Sequence, residues 1–308
     1  MNRVSEQAEY DFELDVQLSN IAKGDLPNQY FVLAILGDGP GDIETVRTHV
    51  LRVTSLEGKI QWEIFSTFPG VAYDIKRVGR EKFVVGTRDG NLIGIEKGKQ
   101  TVLAGKDDLN SMYDIAVLED GKLLLTRDTG LSYWDGLKLK NNSATARRVM
   151  YAVQSLSPVF RVAVGLEGVV FIQTDSKWRR VEKVPTDKDL TALLCVSEKE
   201  VYVGGWHGTL YRWDGGKKWQ KIKVEGDKPF ISSICEYKGC IYVCGTGHGI
   251  YRIEENKAVK VHEFWSSASC VVDGKLIIAG MNKIYEFDGK EWVKVEIEFD
   301  YDAALFYM

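Results

Sequence analysis

The chain repeats itself about every 40 residues, and a period of that size points to a repeat architecture rather than to two unrelated domains. The recurring unit is a pair of apolar-alternating segments closed by a Gly-containing turn. It reads YDIKRVGREKFVVGTRDG from Tyr73, YDIAVLEDGKLLLTRDTG from Tyr113, VQSLSPVFRVAVGLEG from Val153, LLCVSEKEVYVGGWHG from Leu193, SICEYKGCIYVCGTGHG from Ser233 and ASCVVDGKLIIAGMNK from Ala268. Taking the residue six before each second segment gives Arg77, Val117, Leu156, Cys195, Cys235 and Cys270, spaced 40, 39, 39, 40 and 35 apart.

A third and a fourth segment follow each pair, often joined by Asp-Gly: LSYWDGLKLK from Leu131, LYRWDGGKKWQKIKV from Leu210, IYEFDGKEWVKVEI from Ile284. Asp-Gly between alternating runs supplies the positive φ angles of a tight hairpin turn. Four strands in about 40 residues make one propeller blade. The expected fold is therefore all-β, with antiparallel four-stranded blades. Six full blades fit Val71 to Asp300, and YFVLAIL from Tyr30, HVLRVTS from His49 and IQWEIFS from Ile60 match the second to fourth strands of a seventh. The segment Tyr301 to Met308 repeats the YDIAVLE pattern, so it is expected to supply the innermost strand of that N-terminal blade and close the ring. Closure removes open sheet edges, which otherwise template aggregation.

This reading places a single seven-bladed propeller at 30–308 and an N-terminal extension at 1–29. Tyr10 to Leu18 alternates apolar and polar residues without a break, which predicts one further strand, added at the outside or covering one face. IAKGDLPNQ, residues 21–29, reads as a linker.

Composition bounds the function. A net charge of −4 argues against a general nucleic-acid binder, which neutralises phosphates with Lys and Arg. The acidic N-terminus has no secretory-signal pattern, and no apolar run approaches the roughly 18–20 residues that span a bilayer, so a cytoplasmic protein with no membrane partner is expected. Five cysteines without metal-module spacing suit free thiols in a reducing compartment.

On a propeller, the loops joining second to third strands meet the blade junctions on one face, and a rigid scaffold presents them for binding. That rim would gather Asp38 to Asp42, Arg88, Asp89, Arg127, Asp128, Trp206, His207, His248 and Asn282, with Asp107, Arg147, Arg148, Asp187, Asp227 and Trp265 from the junctions. Mixed charge with Trp and Arg is the composition of a protein-binding surface. Arg77, a charge in a slot otherwise apolar, is a channel-lining candidate. Two histidines, His207 and His248, in neighbouring turns lack a spaced third ligand, so no metal and no cofactor are expected. Cys195, Cys235 and Cys270 share one slot with Val117 and Leu156, which makes it an apolar core position. Trp178, Trp219 and Trp292 recur at the start of fourth strands, as packing residues do. Phosphate-loop, nucleophile-elbow and His-Glu-x-x-His signatures are absent, so catalytic residues are not assigned.

The motifs VYVGGWHGTLYRWDGGKKWQKI and IYVCGTGHGIYRI resemble the degenerate bacterial propeller repeats grouped as WD/YVTN/BNR-like, over nearly the whole of Tyr30 to Met308. The chain is also similar in style to immunity proteins of bacterial polymorphic toxin systems. That resemblance implies a non-enzymatic, intracellular propeller whose partner is a protein, an antitoxin that occludes a toxin's active site. The acidic net charge would suit a basic, nuclease-type toxin. The alternatives are a propeller hydrolase or lyase with a site at the channel mouth, and a scaffold or regulatory subunit.

Overall fold

A computed structural model describes residues 15–299, apart from 38–45, 57–58, 106–109, 176, 182–183 and 217. The alternating segments become strands because each face of a strand meets a different neighbour. In Gln29–Gly37, Tyr30, Val32, Ala34 and Leu36 pack toward the last sheet, while Phe31 and Leu33 pack toward the next one in sequence. Period-2 burial on both faces is the signature of a sheet sandwiched between sheets.

Seven antiparallel sheets result, covering 15–69, 72–104, 112–141, 150–180, 190–221, 230–262 and 268–296, here blades 1 to 7. Each has four strands. Blade 6 gains a fifth, Lys223–Val224, which pairs parallel to the edge strand Lys257–His262. Inner strands touch in ring order, blade 1 to blade 2 and onward until blade 7 meets blade 1. The hydrophobic core is correspondingly divided into seven clusters, one in each seam between blades.

Inner strands are also fastened to one another by side chains that accept from the next strand's backbone. Asp74 Oδ2 accepts from Ile115 N–H at 2.8 Å, Asp114 Oδ2 from Val153 N–H at 2.8 Å, and Gln154 Oε1 from Cys195 N–H at 2.6 Å. The Lys76 ammonium bridges Asp74 Oδ1 at 2.8 Å and Asp114 Oδ1 at 3.3 Å. These bonds occupy backbone donors that the first strand of a blade, having no inner neighbour, cannot place in its own sheet.

Blade 1 has an inner strand that the sequence expectation did not place there. The inner position of blade 1 is held by Asp15–Lys23, which pairs antiparallel with Gln29–Gly37. Tyr301 to Met308, assigned that place by pattern, lie outside the described residues, as does most of Tyr10 to Leu18. The supposed linker at 21–29 is the end of this strand, a turn at 24–28 and the start of the next strand. Among the described residues, blades 7 and 1 are joined by contacts between their sheets. Leu18 N–H donates to the Met281 carbonyl at 2.6 Å, and Ser267 Oγ donates to the Leu18 carbonyl at 2.6 Å. Lys23 Nζ and Asn28 N–H both donate to Asp273, at 2.6 and 2.7 Å. Farther out, buried Glu286 accepts from Tyr30 at 2.9 Å, Ser55 at 2.7 Å and Lys275 at 2.8 Å. Burial, then the Glu286 carboxylate, pushes the Tyr30 phenol far above its ordinary value, so it remains a donor.

Register also splits the cysteine slot. Cys195 pairs with Val201 and packs back onto blade 4, whereas Cys235 and Cys270 pair with Tyr242 and Ile277 and pack forward onto blades 7 and 1. Aligned on the glycine ending the second strand, the counterpart of Cys195 in blade 6 is Glu236 and in blade 7 Val271, and one residue of slip reverses a side chain's face. In blade 4 the counterpart is Ser155, because Leu156 is skipped by the pairing. All five thiols are free, and burial pushes Cys195 up to about 12 and Cys244 to about 11, so both stay protonated packing groups. Trp178 is buried and donates its indole N–H to Tyr133 at 2.8 Å. Trp292 packs against Phe264 and Phe287.

Candidate functional site

In blades 2 to 5 and 7 the residue just after the second strand stands on the loop face, as Arg88, Asp128, Leu166, Trp206 and Met281, and in blade 6 the last strand residue, Thr246, takes the corresponding place after Gly245. The repeat sets the height, and each blade supplies its own chemistry there. Arg88 and Asp89 are exposed. Trp206 is 47% exposed, resting on Phe230 with ring centroids 4.6 Å apart, and the exposed His207 beside it adopts a left-handed backbone at φ 57°. Trp265, from the junction between blades 6 and 7, is 41% exposed and lies against Gly247. His248 Nδ1 is 3.3 Å from Asp227 Oδ2. Arg147 and Arg148 are exposed; Asp38 to Asp42 and Asp107 lie outside the described residues.

Arg127 departs from the rim. It is 1% exposed and belongs to the strand, one residue short of the rim position. Blades 4, 5 and 7 carry Gly165, Gly205 and Gly280 at this place, where an added Cβ would meet backbone oxygen at 2.1, 1.8 and 2.0 Å. Arg127 is thus a seam residue. Asp128 is half-buried, accepting from Tyr113 at 2.6 Å and from Ser111 N–H at 3.0 Å. Arg77 lies toward the opposite face, its guanidinium on Asp25 at 2.8 Å, and it borders the channel.

The feature that sequence reasoning missed is the channel mouth. In blades 1 to 6 the inner strand carries a β-bulge near its loop-face end: pairing skips Ser19 and Asn20, then Tyr73, Tyr113, Tyr151, Thr191 and Ser232 in turn. In blade 7, Ser267 stands just before the strand at the corresponding place. A bulge re-aims its side chain, and all of these residues line the central cavity, which has a volume of about 530 Å³. Tyr73 and Tyr113 stack at 5.3 Å, and Tyr113 meets Tyr151 edge to face at 5.1 Å. Burial raises all three phenols above their ordinary value, with Asp128 adding to the effect. Three adjacent blades therefore present aromatic rings to the mouth, and four present small hydroxyl or amide groups. The recurrent Tyr-Asp at Tyr73 and Tyr113 was visible in the repeat, but a repeated residue reads as packing until its bulge is seen.

Among the described residues, no three His, Cys, Asp or Glu side chains gather as metal ligands, so His207 and His248 do not complete such a group. Among the same residues, no helix is long and apolar enough to cross a membrane.

The architecture defines a seven-bladed β-propeller. No protein-family pattern matches the chain. It is 26% identical over 141 residues to the immune protein Tsi7 of Pseudomonas aeruginosa, a stretch covering 44% of each protein. The chain thus spans less than half the length of that relative. Among solved structures it is similar to the WD40 β-propeller domain of Doa1, with TM-score 0.68, 13% identity and 95% and 96% of the two chains covered. It is likewise similar to a streptogramin B lyase, with TM-score 0.67, 11% identity and 88% and 93% covered. At such identities the likeness shows the fold alone.

Proposed function

We propose that this chain is a protein-binding propeller acting as an immunity protein, which neutralises a toxin domain by laying its loop face over the toxin's active site. The observation that carries this reading is the pair of exposed tryptophans, Trp206 and Trp265, on loops held by rigid sheets. Tryptophan and arginine are enriched among the few residues that dominate binding energy at protein interfaces. The partial likeness to an immune protein directs the reading toward immunity, and the net charge of −4 suits a basic partner. Five free thiols support a reducing, cytoplasmic setting.

Co-expression with the product of the adjacent gene, followed by size-exclusion chromatography, tests the proposal. A stoichiometric complex is expected, lost on Trp206→Ala with Trp265→Ala and weakened by Arg88→Ala or His207→Ala. A complex indifferent to all four changes would remove the loop face from the interface. The hydrolase or lyase alternative has only a shared fold behind it; turnover of a lactone or glycan library by the purified chain would install it instead.

A further inference from the structure

Charge is unevenly placed along this chain. Residues 138–223 hold sixteen Lys and Arg against eight Asp and Glu, whereas the whole chain holds 40 against 44. The excess surfaces on the outer flank of blades 4 and 5. Arg179 stands opposite Ile172 in the strand register and Lys221 opposite Tyr211; both partners belong to the seam between these blades, so the two cations flank that seam from either side. Arg180 stands opposite Phe171 and is turned to the seam with blade 3. There the short turn Ser143–Thr145 lies against the strand Lys177–Arg180, and Arg147 and Arg148 follow it in the chain. All five cations are exposed, as is Lys223.

These six have no partner within the fold. In the same stretch Lys140, Arg161, Lys188 and Arg212 have carboxylate partners, but Arg147, Arg148, Arg179, Arg180, Lys221 and Lys223 form no ion pair among the described residues. Charge on an outer strand deters edge pairing, yet that need does not explain so much of one sign. The outer strands of blades 1 and 7 carry one Lys and one Glu apiece, whereas Lys177–Arg180 carries three cations in four residues.

Unrelieved like charge on one flank favours an anion there. Two features choose its class. The remainder of the chain carries the acid excess, so a long polyanion or a flat anionic membrane that reached past the patch would meet like charge. Four of the six cations are arginines, whose forked donors hold a carboxylate by two bonds and which are enriched at protein interfaces. We propose that the outer flank of blades 4 and 5 docks an acidic surface of a partner protein, its Asp and Glu carboxylates received by Arg147, Arg148, Arg179, Arg180 and Lys221. This surface is separate from the tryptophan-bearing loops and does not depend on the reading given to them. Its partner is opposite in charge to the one that the net charge of −4 suits.

Isothermal titration of the full chain at low salt tests it, with oligoglutamate, duplex DNA and phosphatidylglycerol vesicles as probes. Oligoglutamate is expected to bind more tightly, per charge, than the other two, and to be released as salt screens the contact. Arg179→Glu with Arg180→Glu should weaken it about tenfold or more; Arg147→Glu with Arg148→Glu serves the same end should the first pair not fold. Lys59→Glu with Lys294→Glu, exposed cations of blades 1 and 7, should leave binding unchanged, as should Trp206→Ala. No binding of oligoglutamate, tighter binding of the duplex or the vesicles, binding that survives reversal in a folded variant, or an equal loss in the blade 1 and 7 variant would each overturn the proposal.

Discussion

The seam between blades 2 and 3 and the seam between blades 7 and 1 solve one problem under different constraints. At the first, the chain itself runs from one blade to the next, and the polar contacts sit on inner strands beside the channel, where Lys76 shares two carboxylates. At the second, no neighbouring stretch of chain joins the blades. Its hydrogen bonds are spread over the depth of the blade, from Ser267 and Leu18 at the loop face, through Asp273 at the opposite end, to Glu286 on a third strand. Where covalent continuity is missing, a distributed set of directional contacts fixes the register that apolar packing alone would leave free to slip.

Removing strands separates the seams most strongly. Deletion of residues 1–23 strips blade 1 of its inner strand and exposes both an edge and the cluster around Leu18 and Ile21; the product is expected to aggregate, as judged by light scattering. Deletion of 301–308 removes none of the seam contacts named above and should lower the melting temperature less than deletion of 1–23. The reverse pair of outcomes would restore closure by the C-terminal segment.

Single substitutions come next. Glu286→Ala leaves Tyr30, Ser55 and Lys275 facing a buried gap and should cost about 3–5 kcal/mol in urea unfolding. Asp74→Ala should cost less, about 1–3 kcal/mol, because Lys76 retains Asp114 and the main loss is the acceptor for Ile115 N–H. Equal costs would erase the distinction between the seams.

Acid should affect the two seams in opposite senses. The Lys23 ammonium, then Asn28 N–H, holds the Asp273 carboxyl below its ordinary 3.8. A group lowered in the fold contributes stability that is complete above 3.8 and is lost as pH falls below 3.8 through the lowered folded value. Asp74 is pushed up to about 7 by burial, against the pull of Lys76. Its proton is held more tightly in the fold, so its contribution is present below 3.8 and lost as pH rises toward about 7. Hydrogen exchange should therefore quicken first around Asp273 on acidification, while the amides near Asp74 and Ile115 slow. Uniform quickening would contradict the contrast.

The smallest stability effect belongs to the loop face. Trp206→Ala should change unfolding free energy by no more than about 0.5 kcal/mol, yet weaken a protein partner by about 2 kcal/mol or more if the tryptophan is an anchor. A large loss of stability would make Trp206 a packing residue.

Blades 2 to 7 were legible because their signal is local and repeated: period-2 apolarity, Asp-Gly turns and a spacing near 40. The loop-face placement of Trp206, His207 and Trp265 followed from that count. Arg127 did not, since one residue of phase separates an exposed turn from a buried strand end, and the turn TRD looks the same in both. The mouth ring escaped because a β-bulge shows only in the pairing of two strands.

By itself, then, the sequence determined the blade: its four strands, its two apolar faces and its recurrence, all consequences of contacts between residues near in the chain. Closure was decided by tertiary structure alone. Tyr10 to Leu18 alternates and Tyr301 to Met308 repeats the YDIAVLE pattern, and neither feature names a partner strand. The choice rests on contacts some 250 residues apart, such as Ser267 with Leu18 and Lys23 with Asp273, which form only when the last blade has come round to meet the first.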